Sequence, residues 1–181
     1  MQTGVTRREA LKALGYGGIG LLAGCRAVGQ GSGRGIGSVG SRWYRGNLHM
    51  HSYWSDGRAF PEQAIDGYKS LGYDFIGLSD HNVFADDANR WRSVEAKESK
   101  WPPAVTTPLF DAYAKAFGSE VVARKSGDKT EVRLKTYEEM RRRFAEPGKF
   151  LLLPAVEITQ VLNGINVHLN YLNLPEVIAS V

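Results

Sequence analysis

Four histidines and a few carboxylates are the residues of this 181-residue chain whose types and spacing fit metal chemistry. The histidines are His49, His51, His81 and His168. Side chains two residues apart on a strand point to the same face, so His49 and His51 can both direct a ring nitrogen at one ion. Asp80 and Glu157 add carboxylate oxygens. This mixture of imidazole and carboxylate indicates a metal site that leaves coordination positions open for water or substrate.

The elements that must position these side chains are predicted strands. Apolar runs bounded by polar or turn residues predict four strands, at 44–52, 73–78, 150–158 and 165–172. Each histidine stands at or near the C-terminal end of one of them, where ligands gather in parallel α/β folds. A single histidine is more often an ordinary core or surface residue. Four histidines at strand ends, with carboxylates beside them, favour a metal site.

The order of the predicted elements indicates an α/β fold. A helix predicted at 61–71 separates the first two strands and completes a βαβ unit, which implies a parallel sheet covered by helices. Pro61 at the first helical position and Gly72 just past the end support this helix. Thr136 and Glu139 form a capping box for a later helix. Between the second and third strands we expect a loop at 80–103, a helix at 107–117, a hairpin at 121–134 and a helix at 136–144.

Composition and charge are those of a globular protein without a nucleic-acid partner. Hydrophobic residues make up 43% of the chain and charged residues 23%, which is enough apolar material for a core. The net charge is +4. Without residues 1–24, which hold three basic residues and one acidic residue, 20 basic and 18 acidic residues remain. This balance is too even for an electrostatic footprint that binds DNA or RNA.

The N-terminus has the pattern of an export signal. Arg7 and Arg8 precede an apolar, glycine-rich stretch at 13–24 that is too short to span a bilayer and ends at Cys25. The paired arginines resemble a twin-arginine signal, and the residues before Cys25 resemble a bacterial lipobox. The alternative is a short buried helix with an ordinary core cysteine, but its glycines would each cost about 1 kcal/mol in a helix interior.

This pattern divides the chain into three predicted parts. Residues 1–24 are an export signal peptide with a lipobox, and the resemblance implies that Cys25 becomes the lipidated N-terminus. Residues 25–43 form a Gly/Ser-rich tether. Residues 44–181 form the catalytic domain. We expect an exported protein of the cell envelope or periplasm that meets the membrane through its lipid anchor alone.

Five short motifs resemble those of the polymerase-and-histidinol-phosphatase (PHP) domain. They are Asn47-Leu48-His49-Met50-His51-Ser52, Ser55-Asp56-Gly57, Ser79-Asp80-His81-Asn82, Leu153-Pro154-Ala155-Val156-Glu157-Ile158-Thr159 and Val167-His168-Leu169-Asn170. The long insertion before Glu157 and the export signal resemble the carbaryl-hydrolase-like branch of that family. The resemblance implies part of a distorted seven-stranded β/α (TIM-like) barrel that holds two or three Zn, Mn or Fe ions.

The resemblance also implies metal ligands. They are His49, His51, Asp56, His81, Glu157 and His168. His49, His51 and Glu157 would hold one ion. Glu157 would bridge to a second ion, held partly by His168.

A third ion and the catalytic residues are implied by the same resemblance. His81 would serve the third ion, together with Asp56. Asp80 would be either a ligand or a partner that orients His81, and Asp80 and His81 are the expected catalytic residues. The family's later histidine and final Asp-x-His have no counterpart after His168. Residues 44–181 are therefore expected to be the N-terminal portion of a larger PHP domain.

The expected activity is metal-dependent hydrolysis of phosphoesters or related esters, with water activated by the bound cations. The partner would be a small-molecule ester or phosphoester, and the sequence leaves the oligomeric state open. One alternative is a non-catalytic lipoprotein that binds or senses metal. Another is a purely structural α/β lipoprotein whose histidines have no common role.

Overall fold

The computed structural model describes residues 42–174, in which eight strands form two four-stranded sheets that pack with three short helices. The helices are α1 (Pro61–Ser70), α2 (Thr107–Phe117) and α3 (Tyr137–Phe144), and a 3₁₀ turn spans Gly118–Glu120. The strands are β1 (Gly46–Asn47), β2 (Phe75–Leu78), β3 (Trp91–Glu95), β4 (Val105–Thr106), β5 (Ala123–Ser126), β6 (Lys129–Arg133), β7 (Leu151–Leu162) and β8 (Ile165–Leu172).

The first sheet has the order β1-β2-β7-β8 and carries the histidines. β1 pairs with β2 and β2 with β7 in parallel, and α1 connects β1 to β2 as the predicted βαβ unit requires. β1 ends at Asn47, so His49 and His51 follow the strand rather than lying within it. The parallel pairing of β2 with β7 continues as an isolated bridge between His81 and Glu157. The backbone thus brings these two residues side by side.

The pairing of β7 with β8 is antiparallel, which differs from the parallel sheet that the sequence predicted. The two strands are joined by Asn163 and Gly164, whose φ angles are +51° and +78°. Two consecutive residues with positive φ make the tight turn that matches the twist of a hairpin, and Asn-Gly is its preferred sequence. As a result, β8 lies at the edge of the sheet.

The second sheet is built from the segment between β2 and β7, in the order β4-β3-β6-β5. The predicted hairpin is present as β5 and β6, with Gly127 in its turn at a φ of +59°. β3 pairs antiparallel with β6 and parallel with β4. β3 lies in the segment for which a loop was expected, so the insertion has more regular structure than the sequence suggested.

The prediction of an α/β fold forming part of a seven-stranded β/α barrel is wrong. The described residues form a strand-rich half-barrel with two mixed sheets and three short helices. Two features cause the difference. The Asn163-Gly164 turn returns the chain directly to its neighbouring strand, without the helical crossover that a parallel strand needs. The insertion pairs with itself as a separate sheet instead of adding strands to the first.

The export signal, the lipidation of Cys25 and nearly all of the tether lie outside the described residues and stay predictions. Within residues 42–174, none of the helices has the length and apolar character needed to cross a bilayer.

One hydrophobic core is shared by both sheets. It includes Ile76 and Leu152 from the first sheet and Val132 from the second, all fully buried. Phe60, just before α1, stacks on Tyr113 of α2 with ring centroids 3.8 Å apart. The insertion is therefore packed against the sheet that carries the histidines.

The predicted capping box starts α3. The hydroxyl of Thr136 accepts a hydrogen bond from the backbone N–H of Glu139, and the Glu139 carboxylate accepts one from the backbone N–H of Thr136. The same carboxylate receives two hydrogen bonds from the Arg133 guanidinium, at 2.6 and 3.0 Å. These hydrogen bonds from Arg133 are the largest cause of the low pKa of Glu139, which is about 2.

We predict that Glu139→Gln lowers the free energy of unfolding by about 1 kcal/mol at pH 7, because the amide loses the charge-assisted bonds to Arg133. The folded-state pKa is depressed, so the stabilisation is complete above the ordinary value of 4.5 and is lost as pH falls through about 2. Denaturant unfolding of both proteins between pH 7 and pH 2 checks this. A difference in stability that does not shrink with acidification would contradict it.

Candidate metal centre

The Glu157 carboxylate is the centre of the histidine cluster. Its side chain is 4% exposed, and its Oε2 lies 2.8 Å from Nε2 of His49 and 2.6 Å from Nε2 of His51. The two Nε2 atoms are 2.8 Å from each other. Oε1 lies 2.7 Å from Nδ1 of His168, on the adjacent strand. Three ring nitrogens, two from the segment after β1 and one from β8, thus surround one carboxylate.

The charge of Glu157 is stabilised by these neighbours. Burial by itself would raise the pKa of this carboxyl, but the hydrogen bond from His49 and the nearby rings of His81 and His51 outweigh burial and lower it. A buried carboxylate held in its ionised form is the state that binds a cation. The electrostatics of this position therefore suit a metal ligand.

Asp56 joins the cluster from the loop after His51. Its Oδ1 lies 2.7 Å from Nδ1 of His51, and its Oδ2 lies 3.6 Å from Nε2 of His81. The rings of His51 and His81 pack edge to face, with centroids 4.5 Å apart. Burial, followed by the neighbouring His51, lowers the pKa of His81. A lowered pKa favours the neutral imidazole, which can offer a lone pair.

Among residues 42–174, three overlapping groups of side chains could hold a metal ion. They are His49, His51 and Glu157; His51, Asp56 and His81; and His81, Glu157 and His168. Within each group the ligand atoms lie within 4.8 Å of one another. The structure thus brings together all six residues that the sequence predicted as ligands. The first group is the one that the resemblance implied, whereas the other two each contain one further histidine, His51 beside Asp56 and His81, and His81 beside Glu157 and His168.

Both ring nitrogens of His51 lie within hydrogen-bonding distance of a carboxylate oxygen, at 2.6 and 2.7 Å. A neutral imidazole has one lone pair and one N–H, so it can bind one ion and donate one hydrogen bond. Nε2 faces Glu157, and Nδ1 faces Asp56. A carboxylate on the second nitrogen is the usual device that orients a metal-binding histidine. With Nε2 as the ligand atom, Asp56 orients His51.

Asp80, expected as a ligand or catalytic residue, belongs to none of the three candidate groups. It is 2% exposed, and both its oxygens accept hydrogen bonds from the loop after His51. Oδ1 accepts from the backbone N–H of Ser52 and from the N–H and hydroxyl of Ser55, and Oδ2 accepts from the hydroxyl of Ser52. Burial raises the pKa of Asp80 to about 6, although the hydrogen bonds from Ser52 and Ser55 act to lower it. Asp80 therefore holds the loop that carries Asp56.

Gly57 allows that loop to fold back on itself. A Cβ at this position would lie 2.4 Å from the backbone of His51 and Ser52, which is shorter than any real contact. The Gly57 N–H donates to the carbonyl oxygen of Ser52 at 3.0 Å. In the predicted Ser-Asp-Gly turn, the backbone of Gly57 thus packs closely against the backbone of His51 and Ser52, and this places Asp56 next to His51.

Two further residues contact the cluster and were not singled out from the sequence. Thr159 approaches His81 and His168 through its hydroxyl, and Asn82 holds the backbone of Thr159. Thr159 could have been found from strand alternation, because it lies two residues after Glu157 and so on the same face. Asn82 carried no such signal, since its role depends on how β2 and β7 pair.

Comparison of the chain with models of protein families found no match, and neither did comparison with curated proteins. The function is therefore inferred from the residues of the centre and their geometry.

We predict that Asp80→Ala lowers the free energy of unfolding by about 2 to 4 kcal/mol, because it leaves the buried donors of Ser52 and Ser55 without an acceptor. Denaturant unfolding at pH 7 measures the change. Asp66→Ala is the matched control, since Asp66 is an exposed aspartate on α1. A variant as stable as the control would show that Asp80 does not hold the loop.

Proposed function

We propose that this chain belongs to a metal-dependent hydrolase that acts on phosphoesters or related esters, with two or three Zn, Mn or Fe ions at the Glu157 centre. The observation that carries the proposal is that one buried carboxylate, Glu157, is shared by two of the three candidate ligand groups. A shared carboxylate holds neighbouring cations a few ångströms apart. Paired cations at this spacing are typical of enzymes that cleave phosphate esters.

The types of ligand support the choice of metals. Imidazole nitrogens and carboxylate oxygens suit Zn, Mn and Fe, whereas sites for Mg or Ca are built mainly from oxygen. Each candidate group offers three protein side chains. Because His51 and His81 each belong to two groups and a neutral imidazole binds one ion, an ion would take at most three of these ligands. Three ligands per ion leave positions for water and for an oxygen of the substrate, as catalytic sites require.

The exposure of the centre supports access by a substrate. The side chains of His49 and His168 are 52% and 43% exposed, whereas that of Glu157 is 4% exposed. The centre therefore has a buried side, formed by β7, and a side open to solvent. An ester can approach the histidines without a rearrangement of the core.

The described residues would each contribute to hydrolysis in a definite way. Divalent cations held by these residues would lower the pKa of a bound water toward about 7 and would polarise the bond under attack. Glu157 provides a negative charge to offset the cations, and Asp56 keeps Nε2 of His51 directed inward. Asp80 keeps the loop that bears Asp56 in place. The open side leaves room for the leaving group to depart.

The sequence motifs support the same proposal. The segments that resemble PHP motifs include the six clustered residues, and PHP enzymes hydrolyse phosphate esters. The resemblance to the carbaryl-hydrolase-like branch adds aryl and carbamate esters to the candidate substrates. We propose these ester classes as substrates, with the phosphate esters first.

We predict that the purified protein binds at least one Zn or Mn per chain, and that Glu157→Gln loses most of it because the central charge is removed. Elemental analysis after dialysis measures the content. Glu138→Gln is the matched control, since Glu138 is an exposed glutamate on α3. Equal metal content in wild type and Glu157→Gln would overturn the assignment of the centre.

We predict hydrolysis of p-nitrophenyl phosphate or bis-p-nitrophenyl phosphate that requires added Mn or Zn and falls at least 100-fold in Glu157→Gln. Release of p-nitrophenolate measures it, and p-nitrophenyl acetate and an aryl carbamate test the other ester classes. Metal binding without turnover of any of these esters would favour a metal-binding or sensing protein instead.

A further inference from the structure

The hydroxyl of Thr159 lies between two candidate metal ligands. Its Oγ1 is 2.6 Å from Nδ1 of His81 and 3.2 Å from Nδ1 of His168. Thr159 pairs directly with His168 across β7 and β8, and it shares a strand face with Glu157. The steps proposed above for hydrolysis do not use this hydroxyl.

We propose that Thr159 is a positioning residue that fixes the tautomer of His81. Its hydroxyl oxygen accepts the Nδ1–H of His81, which leaves the lone pair of Nε2 free for a cation next to Asp56. The inference rests on the proposed function, because a fixed lone pair matters to the protein when a cation binds at this centre.

The distances around His81 select this tautomer. Nδ1 has Thr159 Oγ1 at 2.6 Å and Glu157 Oε2 at 3.5 Å, so the hydroxyl is the better acceptor. In the other tautomer, Nε2 would carry the hydrogen and direct it toward Asp56 Oδ2 at 3.6 Å, which is too long for a good hydrogen bond. A protonated Nε2 also has no lone pair left for a cation.

Asn82 keeps the Thr159 hydroxyl in place. The side-chain oxygen of Asn82 accepts from the backbone N–H of Thr159 at 2.9 Å, and its amide donates to the carbonyl oxygen of Thr159 at 3.2 Å. Asn82 has a φ of +50°. Just beyond the bridge between His81 and Glu157, its side chain makes the two hydrogen bonds to the backbone of Thr159 that a paired strand would otherwise make. A β-branched side chain on a fixed backbone has few rotamers, so the position of the hydroxyl is well defined.

The arrangement matches a general rule of metal sites. A metal-binding histidine usually donates its second N–H to a protein acceptor, which fixes the tautomer and the ring orientation. Loss of such an acceptor typically weakens metal binding about 10- to 100-fold. Asp56 is the corresponding acceptor for His51, so Thr159 and Asp56 act on different rings.

The test compares Thr159→Val, which keeps the shape and removes the hydroxyl, with Thr159→Ser, which keeps the hydroxyl. Long-range ¹H–¹⁵N NMR of the metal-free proteins shows which ring nitrogen of His81 carries the hydrogen. We expect the Nδ1–H tautomer in wild type and Thr159→Ser, and a mixture or the Nε2–H tautomer in Thr159→Val. An unchanged tautomer in Thr159→Val, or Nε2–H in wild type, would overturn the inference. Thr159→Ala gives the same comparison if the valine variant does not fold.

Zn titration by calorimetry adds the second readout. We expect Thr159→Val to bind one Zn about 10- to 100-fold more weakly than wild type, with affinity retained in Thr159→Ser. A shifted tautomer without weaker binding would overturn the positioning role. A wild type that binds neither Zn nor, in parallel titrations, Mn or Fe(II) would overturn the proposed function, while the NMR comparison would still decide the tautomer of His81.

Discussion

Burial of the Glu157 carboxylate is the constraint on which the arrangement of the centre depends. An isolated carboxylate in a protein interior costs several kcal/mol or more unless its surroundings offset the charge. The side chain of Glu157 is 4% exposed, so solvent supplies little of that compensation. The ring nitrogens of His49, His51 and His168 supply it instead. The histidines thus have a structural reason to converge on this carboxylate even before a cation is bound.

The convergence is achieved by the backbone around Asp80, His81 and Asn82. The N–H of Glu157 donates to the carbonyl oxygen of Asp80, and the N–H of Asn82 donates to that of Glu157. These two bonds fix His81 beside Glu157. The carboxylate of Asp80 then reaches the loop after His51, and the side chain of Asn82 reaches Thr159. Three consecutive residues therefore connect parts of the chain that bear the ligands.

The sequence was informative about local structure and about which residues meet. The limits of α1, the Thr136 capping box and the hairpin at Gly127 are set by local signals that do not depend on the rest of the fold. The convergence of His49, His51 and His81 was predictable from their places after parallel strands. His168 lies within the antiparallel β8 and reaches Glu157 through the pairing of β8 with β7, which the sequence analysis did not predict. The prediction of a barrel was wrong because it depended on which strands pair. Strand pairing is decided by packing between residues far apart in the sequence. The Asn163-Gly164 dipeptide was the local signal that would have indicated the antiparallel return.

The roles of Asp80, Asn82 and Thr159 could not be read from the sequence for a related reason. Each acts through a partner far along the chain, and Asp80 next to His81 has the same appearance in sequence whether it binds an ion or holds a loop. Its role is visible only once Ser52 and Ser55 are seen to occupy both of its oxygens.

The second sheet contributes to the centre without supplying a ligand. The loop after His51 forms no strand, so it needs support from outside. The hydroxyl of Tyr53 donates to the carbonyl oxygen of Ala104, and the indole N–H of Trp54 donates to that of Lys135. The guanidinium of Arg92 donates to the carbonyl oxygen of Tyr53. Both aromatic side chains are 1% exposed, so these bonds lie within the shared core. The inserted segment therefore fixes the loop between His51 and α1 from one side while Asp80 fixes it from the other, and the position of Asp56 depends on both.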